Sequence, residues 1–105
     1  MPDEYKVKFT PAAYEDMDGI YDYIYSEFCD PAAAENIINE IETKVKRLAD
    51  MPYSCPLVDD DLLKARGYRK LVINNFIALY IVSENINLVS IMRVVYGASN
   101  YVVNI

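Results

Sequence analysis

The chain has 105 residues, 53% of them apolar, and a formal charge of −6 from 16 acidic against 10 basic side chains. That length sustains one hydrophobic core and not two, so a single domain over residues 1–105 is expected. The charge opposes nonspecific attraction to nucleic acid over the whole surface, and three glycines and five prolines are too few for a long linker or a low-complexity tail.

No apolar run approaches the length of a membrane span, and "MPDEYKVKFT" is too polar for a secretory signal, so a soluble cytoplasmic protein is expected. Histidine is absent, which removes the commonest general base and leaves any catalysis to carboxylate, lysine, tyrosine or electrostatics. Cys29 and Cys55 are the only thiols, and without histidine they offer no zinc site of the usual Cys/His kind. Under cytosolic conditions they are expected to stay unbonded.

In chain order, "YKVKF" over residues 5–9 alternates apolar and basic, the period of a half-buried strand. Thr10 and Pro11 supply an N-cap and a first-turn proline, and Met17, Ile20, Tyr21, Ile24 and Phe28 recur three or four apart, predicting a helix over 11–28. Gly19 weakens that helix unless a neighbouring backbone packs close to it. Tyr14, Tyr21 and Tyr25 lie at helical spacing and read as core or partner-facing.

Asp30 and Pro31 repeat the capping device, and Ala34, Ile37, Ile38, Ile41, Val45 and Leu48 predict a second helix to about residue 50. Its short connection to the first makes the two an antiparallel hairpin. Glu35, Asn39, Glu42 and Lys46 occupy its solvent side. "MPYSCPLVDDD" reads as a loop that covers something, since Met51, Leu57 and Val58 are apolar.

From Gly67 to Ile73 a strand is predicted, then a tight turn at Asn74 and Asn75, then the return strand Phe76 to Val82, apolar on both sides and therefore covered on both faces. "SENIN" turns the chain into "LVSIMRVV", a third consecutive strand. These elements predict an α+β fold, strand–helix–helix–strand–strand–strand, with a small antiparallel sheet and the helix hairpin on one face.

Taken together, "YKVKFTPAA", the helix hairpin, "LADMPYSCPLVDDDL", "GYRKLVINNFIALYIV" and "VSIMRVVYGASNY" resemble the RelE/ParE superfamily of toxins from type II toxin–antitoxin modules, the plasmid stabilisation proteins. The resemblance runs from about Tyr5 to Tyr101. It implies a β-α-α-β-β-β toxin with no cofactor or metal, silenced by a cognate antitoxin. Its target would be DNA gyrase, for a ParE-like member, or the ribosome and its mRNA, for a RelE-like endoribonuclease.

RNA cleavage through the 2′-hydroxyl needs proton transfer and cations around the phosphate. The nuclease reading assigns the catalytic roles to Arg69, Arg93 and Tyr96. Against it, the central strand offers Ile77 and Ala78 where the nucleases place an arginine. Arg93 has a structural alternative, a tether to Glu15 or Asp16, and Arg69 one as a strand pin. The apolar central strand favours the gyrase-directed branch.

Overall fold

The computed structural model describes residues 4–97. A first strand, β1 (Lys6–Phe9), leads into α1 (Pro11–Phe28) and α2 (Pro31–Lys46), the second helix ending in a 3₁₀ turn at Arg47–Ala49. After the proline loop come a short helix, α3 (Asp61–Ala65), and the strands β2 (Arg69–Ile73), β3 (Phe76–Ser83) and β4 (Leu88–Tyr96).

Each helix starts where an oxygen side chain meets the first free N–H groups. Thr10 accepts from Ala13 N at 3.2 Å, Asp30 from Ala32 N at 3.0 Å, and Asp60 from Leu63 N at 3.0 Å. Pro11 and Pro31 sit inside the first turns of α1 and α2, where a missing N–H costs nothing. α1 stops at Cys29, which takes the left-handed conformation (φ 49°) and returns its N–H to Tyr25 O at 2.7 Å.

The expectation of an antiparallel sheet needs one correction. β2, β3 and β4 form the antiparallel meander, but β1 runs parallel to β4, giving the order β1-β4-β3-β2. The reason is connectivity: the helix hairpin carries the chain from β1 across the sheet, and β4 returns beside it in the same direction. At the turn, Asn74 adopts positive φ (54°) between Ile73 and Phe76. A bulge between Leu79 and Tyr80 in the β3–β4 register shifts the pairing partway along the ladder.

The helices bury one face of the sheet. Ala13 and Met17 of α1 and Ile41 and Val45 of α2 pack on Ile73, Ala78, Tyr80, Val89, Ile91 and Val94. On the far face Leu79 packs with Val58, Leu63 and Tyr68, and the half-buried Ile77, Ile81, Met92 and Val95 surround that cluster. α3 begins at the last residue of the segment expected to be loop, and together with Val58 of that loop it covers the second face of the all-apolar β3. The loop also meets the sheet through one antiparallel bridge: Leu57 opposes Arg69, with Val58 N donating to Tyr68 O and Lys70 N to Pro56 O.

Gly19 lies open, with nothing within 4 Å of a methyl group placed there. The close backbone approach that would justify a helical glycine is absent, so Gly19→Ala should stabilise the protein by about 0.5–1 kcal/mol in urea titration. Both cysteines are free thiols, Cys29 exposed and Cys55 half-buried. Among the described residues no helix is long and apolar enough to cross a membrane.

Tyr80 is fully buried and its hydroxyl donates to Pro52 O at 3.0 Å, tying the proline loop to the sheet. Burial raises its pKa above the ordinary 10.0. The folded chain therefore holds the neutral phenol, and its contribution is complete below about pH 10 and lost as pH rises through the elevated value. Urea midpoints between pH 8 and 11 should fall more steeply for wild type than for Tyr80→Phe.

Candidate functional site

Arg69 opens β2 and turns back onto the proline loop. Its Nη1 donates to Cys55 O at 2.6 Å, and its guanidinium lies 4.9 Å from the centre of the Tyr53 ring. Tyr53 in turn donates its hydroxyl to Glu84 at 2.5 Å, and this bond pushes the phenol up to about 12. Arg69 thus pins the loop to the start of β2.

Arg93 is held at the other edge of the sheet. β1 ends at Phe9, opposite Ile91, so the rest of β4 has no strand on that side. α1 takes its place: Thr10 N and Oγ1 both donate to Ile91 O at 3.0 Å, and Oγ1 is also 3.0 Å from Met92 O. Nearly two turns on, Asp16 Oδ2 accepts from Val94 N at 2.9 Å and from Arg93 Nε at 2.7 Å, while Oδ1 accepts from Arg93 Nη2 at 2.9 Å. Asp16 serves both as ladder acceptor and as bidentate ion partner, and that bond raises the Arg93 pKa further. Of the two acids considered for the tether, the structure uses Asp16.

Tyr96 closes β4 and is half exposed, its ring edge-on to Phe76 at 5.9 Å between centroids. It borders a shallow cleft of about 250 Å³ with Val72, Asn74 and Ile77. Arg69 pairs with Tyr80 and Tyr96 with Phe76, four residues apart along β3, so their backbones are roughly 13 Å apart along the strands. Arg93, opposite Leu79, stands between and reaches toward α1. The structure does not bring the three side chains into one cluster.

Between these arginines the far face is apolar. Ile77 and Leu79 of β3 and Met92 and Val95 of β4 pack with α3 and Tyr68, and Ala78 is sealed into the helix side. A second surface lies between α1 and α2, where the tyrosines that helical spacing marks as core or partner-facing border a cleft the sequence did not foretell. Phe9, Met17 and Ile38 form an apolar floor, and Tyr14, Tyr21, Asp18 and Glu42 the walls, of a cleft of about 270 Å³. Its legible signal was the spacing Tyr14, Asp18, Tyr21, Tyr25, Phe28, a 4-3-4-3 stripe beside the core stripe of the same helix.

The family model described as the ParE toxin of the type II toxin–antitoxin system parDE matches residues 7–101. The chain belongs to the ParE toxin family. Among solved structures, the toxin resembles a chain of the chromosomal ParDE system from P. aeruginosa, with 24% identity, a TM-score of 0.73, and coverage of 90% of this chain and 98% of that one. It also resembles a chain of the RelBE2 toxin–antitoxin complex from Mycobacterium tuberculosis, with 19% identity, a TM-score of 0.62, and coverage of 89% and 98%. At these identities the likeness is one of fold, and the toxin shares the strand, helix pair and meander of both. No curated protein matches the toxin significantly.

Proposed function

We propose that this ParE-family toxin inhibits growth by holding a macromolecular target, DNA gyrase, in the cytoplasm, and that a cognate antitoxin silences it. One observation carries the choice of target. The face that a phosphate-cleaving enzyme would line with cations is instead built from the half-buried Ile77, Met92 and Val95 around the buried Leu79. Transition-state charge on a phosphate needs fixed positive groups aimed at it, and Arg69 and Arg93 already bind the toxin's own Cys55 carbonyl and Asp16 carboxylate. The net charge of −6 would also slow the approach to ribosomal RNA.

The test is to express the wild type and Tyr96→Phe without antitoxin, at equal soluble levels. Growth arrest should be equal in both, because the Phe76 contact survives loss of one hydroxyl. The purified toxin should inhibit supercoiling by gyrase and leave mRNA intact on translating ribosomes. Ribosome-dependent cuts that fall by about 10²- to 10⁴-fold in Tyr96→Phe would replace this reading with the nuclease one.

A further inference from the structure

β1 alternates along its length, with Lys6 and Lys8 exposed and Val7 and Phe9 half-buried on the helix side of the sheet. The register carries the lysines onto the opposite face and gives each a row of neighbours. Lys8 lies beside Ser90 and Ser90 beside Ile81, while Lys6 lies beside Leu88 and Leu88 beside Ser83. Two rows across three strands make a surface roughly 10 Å wide, with the two lysines rooted roughly 7 Å apart along the strand.

Among the described residues nothing satisfies this surface. Neither lysine has an ion partner, and none of the six positions is acidic. The nearest acids in sequence are Glu4, ahead of the strand, and Glu84, whose carboxylate receives the Tyr53 hydroxyl. Ile81 borders the cluster under α3, but Leu88, only half-buried, belongs to neither apolar cluster. A chain of net charge −6 thus keeps two cations beside unfilled apolar surface on one face. Lysines on an edge strand discourage pairing with another sheet. Charge of either sign serves that end, and it accounts for neither Leu88 nor the missing acids.

We propose that these six residues are the face with which the toxin meets its target, and that they take an acidic protein segment. Two carboxylates about 7 Å apart would meet the lysines, and an apolar side chain would cover Leu88 and Ile81. Nucleic acid suits the face poorly, because two lysines neutralise only two phosphates and no aromatic ring is there for a base to stack on. The inference rests on the target reading above and adds to it the face used and the sign of the charge it meets.

The test compares the wild type with Lys6→Glu/Lys8→Glu and with Lys6→Arg/Lys8→Arg, each expressed without antitoxin at equal soluble levels and checked by circular dichroism. The glutamate pair still guards the edge but repels an acidic segment. It should lose growth arrest and bind DNA-free gyrase at least about tenfold more weakly at about 100 mM salt, while the arginine pair keeps both. Both variants should still co-purify with the neighbouring reading frame's product. Should the glutamate pair fail to fold, Lys6→Gln/Lys8→Gln replaces it, with an expected loss of at least about threefold.

Full arrest and undiminished gyrase binding by the glutamate pair would overturn the proposal, leaving the lysines as edge guards and the gyrase reading intact. Loss of the complex with the neighbouring product would give the face to the antitoxin and overturn it as well. So would weakened binding of a DNA duplex of about 20 base pairs in place of gyrase, which would assign the lysines to nucleic acid. Arrest lost in the glutamate pair, with gyrase bound by neither protein, would remove gyrase as the target and keep the face.

Discussion

Replacing Asp16 by alanine is expected to lower the melting temperature by about 10–25 °C, from a loss of about 2–4 kcal/mol. The carboxylate is 15% exposed and Arg93 27%, so the pair is shielded from most solvent screening. Its removal takes the carboxylate away from three donors at once: Arg93 Nε, Arg93 Nη2 and Val94 N. Asp16→Asn keeps an acceptor for Val94 and loses the charge, so it should cost about half as much. Scanning calorimetry of the three proteins decides it; a shift for Asp16→Ala below about 3 °C would mean that the edge of β4 is satisfied without α1.

Leu79→Ala should cost about 2–5 kcal/mol in urea titration. Leu79 is fully buried at the middle of β3 and anchors the small cluster with Val58, Leu63 and Tyr68. α3 has only five residues and cannot persist without that anchor. The amides of Val58 and Tyr68, which bond Tyr68 O and Leu63 O, should therefore lose hydrogen-exchange protection before those of β4. Uniform loss across the sheet would show instead that the far face unfolds with the rest.

How far the sequence was legible depended on how local the cause was. α1 begins and ends at Pro11 and Phe28, as its cap, proline and apolar period indicate, and the Asn74–Asn75 hairpin lies where its turn residues place it. The parallel β1–β4 pairing left no local sign, because its partners are about eighty residues apart and nothing in "YKVKF" specifies a neighbour. α3 was hidden by three consecutive aspartates, although Asp60 followed by Leu62 and Leu63 is a cap before an apolar pair.

At the candidate site the identities were legible and the allegiances only partly so. Asp16 lies between Ala13 and Ile20 in the apolar stripe of α1, and an acid there signals a buried cation; Arg93 was the available one. The grip of Arg69 on Cys55 O depends on the path of the proline loop, which only tertiary packing defines. The cleft between α1 and α2 forms only when Phe9, α1 and Ile38 come together, so the α1 stripe marked one wall and not the cleft itself.

The position of β4 sets a schedule for the molecule. It is the last described strand to be synthesised, yet β3 and β1 pair with it, Thr10 bonds its Ile91, and Asp16 bonds its Arg93 and Val94. Everything built before it waits, with α1 and α2 holding unburied apolar stripes while the chain grows from Lys46 to Tyr96, through a translation time of roughly 2.5–10 s. A nascent chain lacks a completed sheet for nearly all of that interval, and a message broken ahead of codon 88 never yields one. For a ParE-family chain, this leaves a window in which a partner can be waiting before the last strand closes.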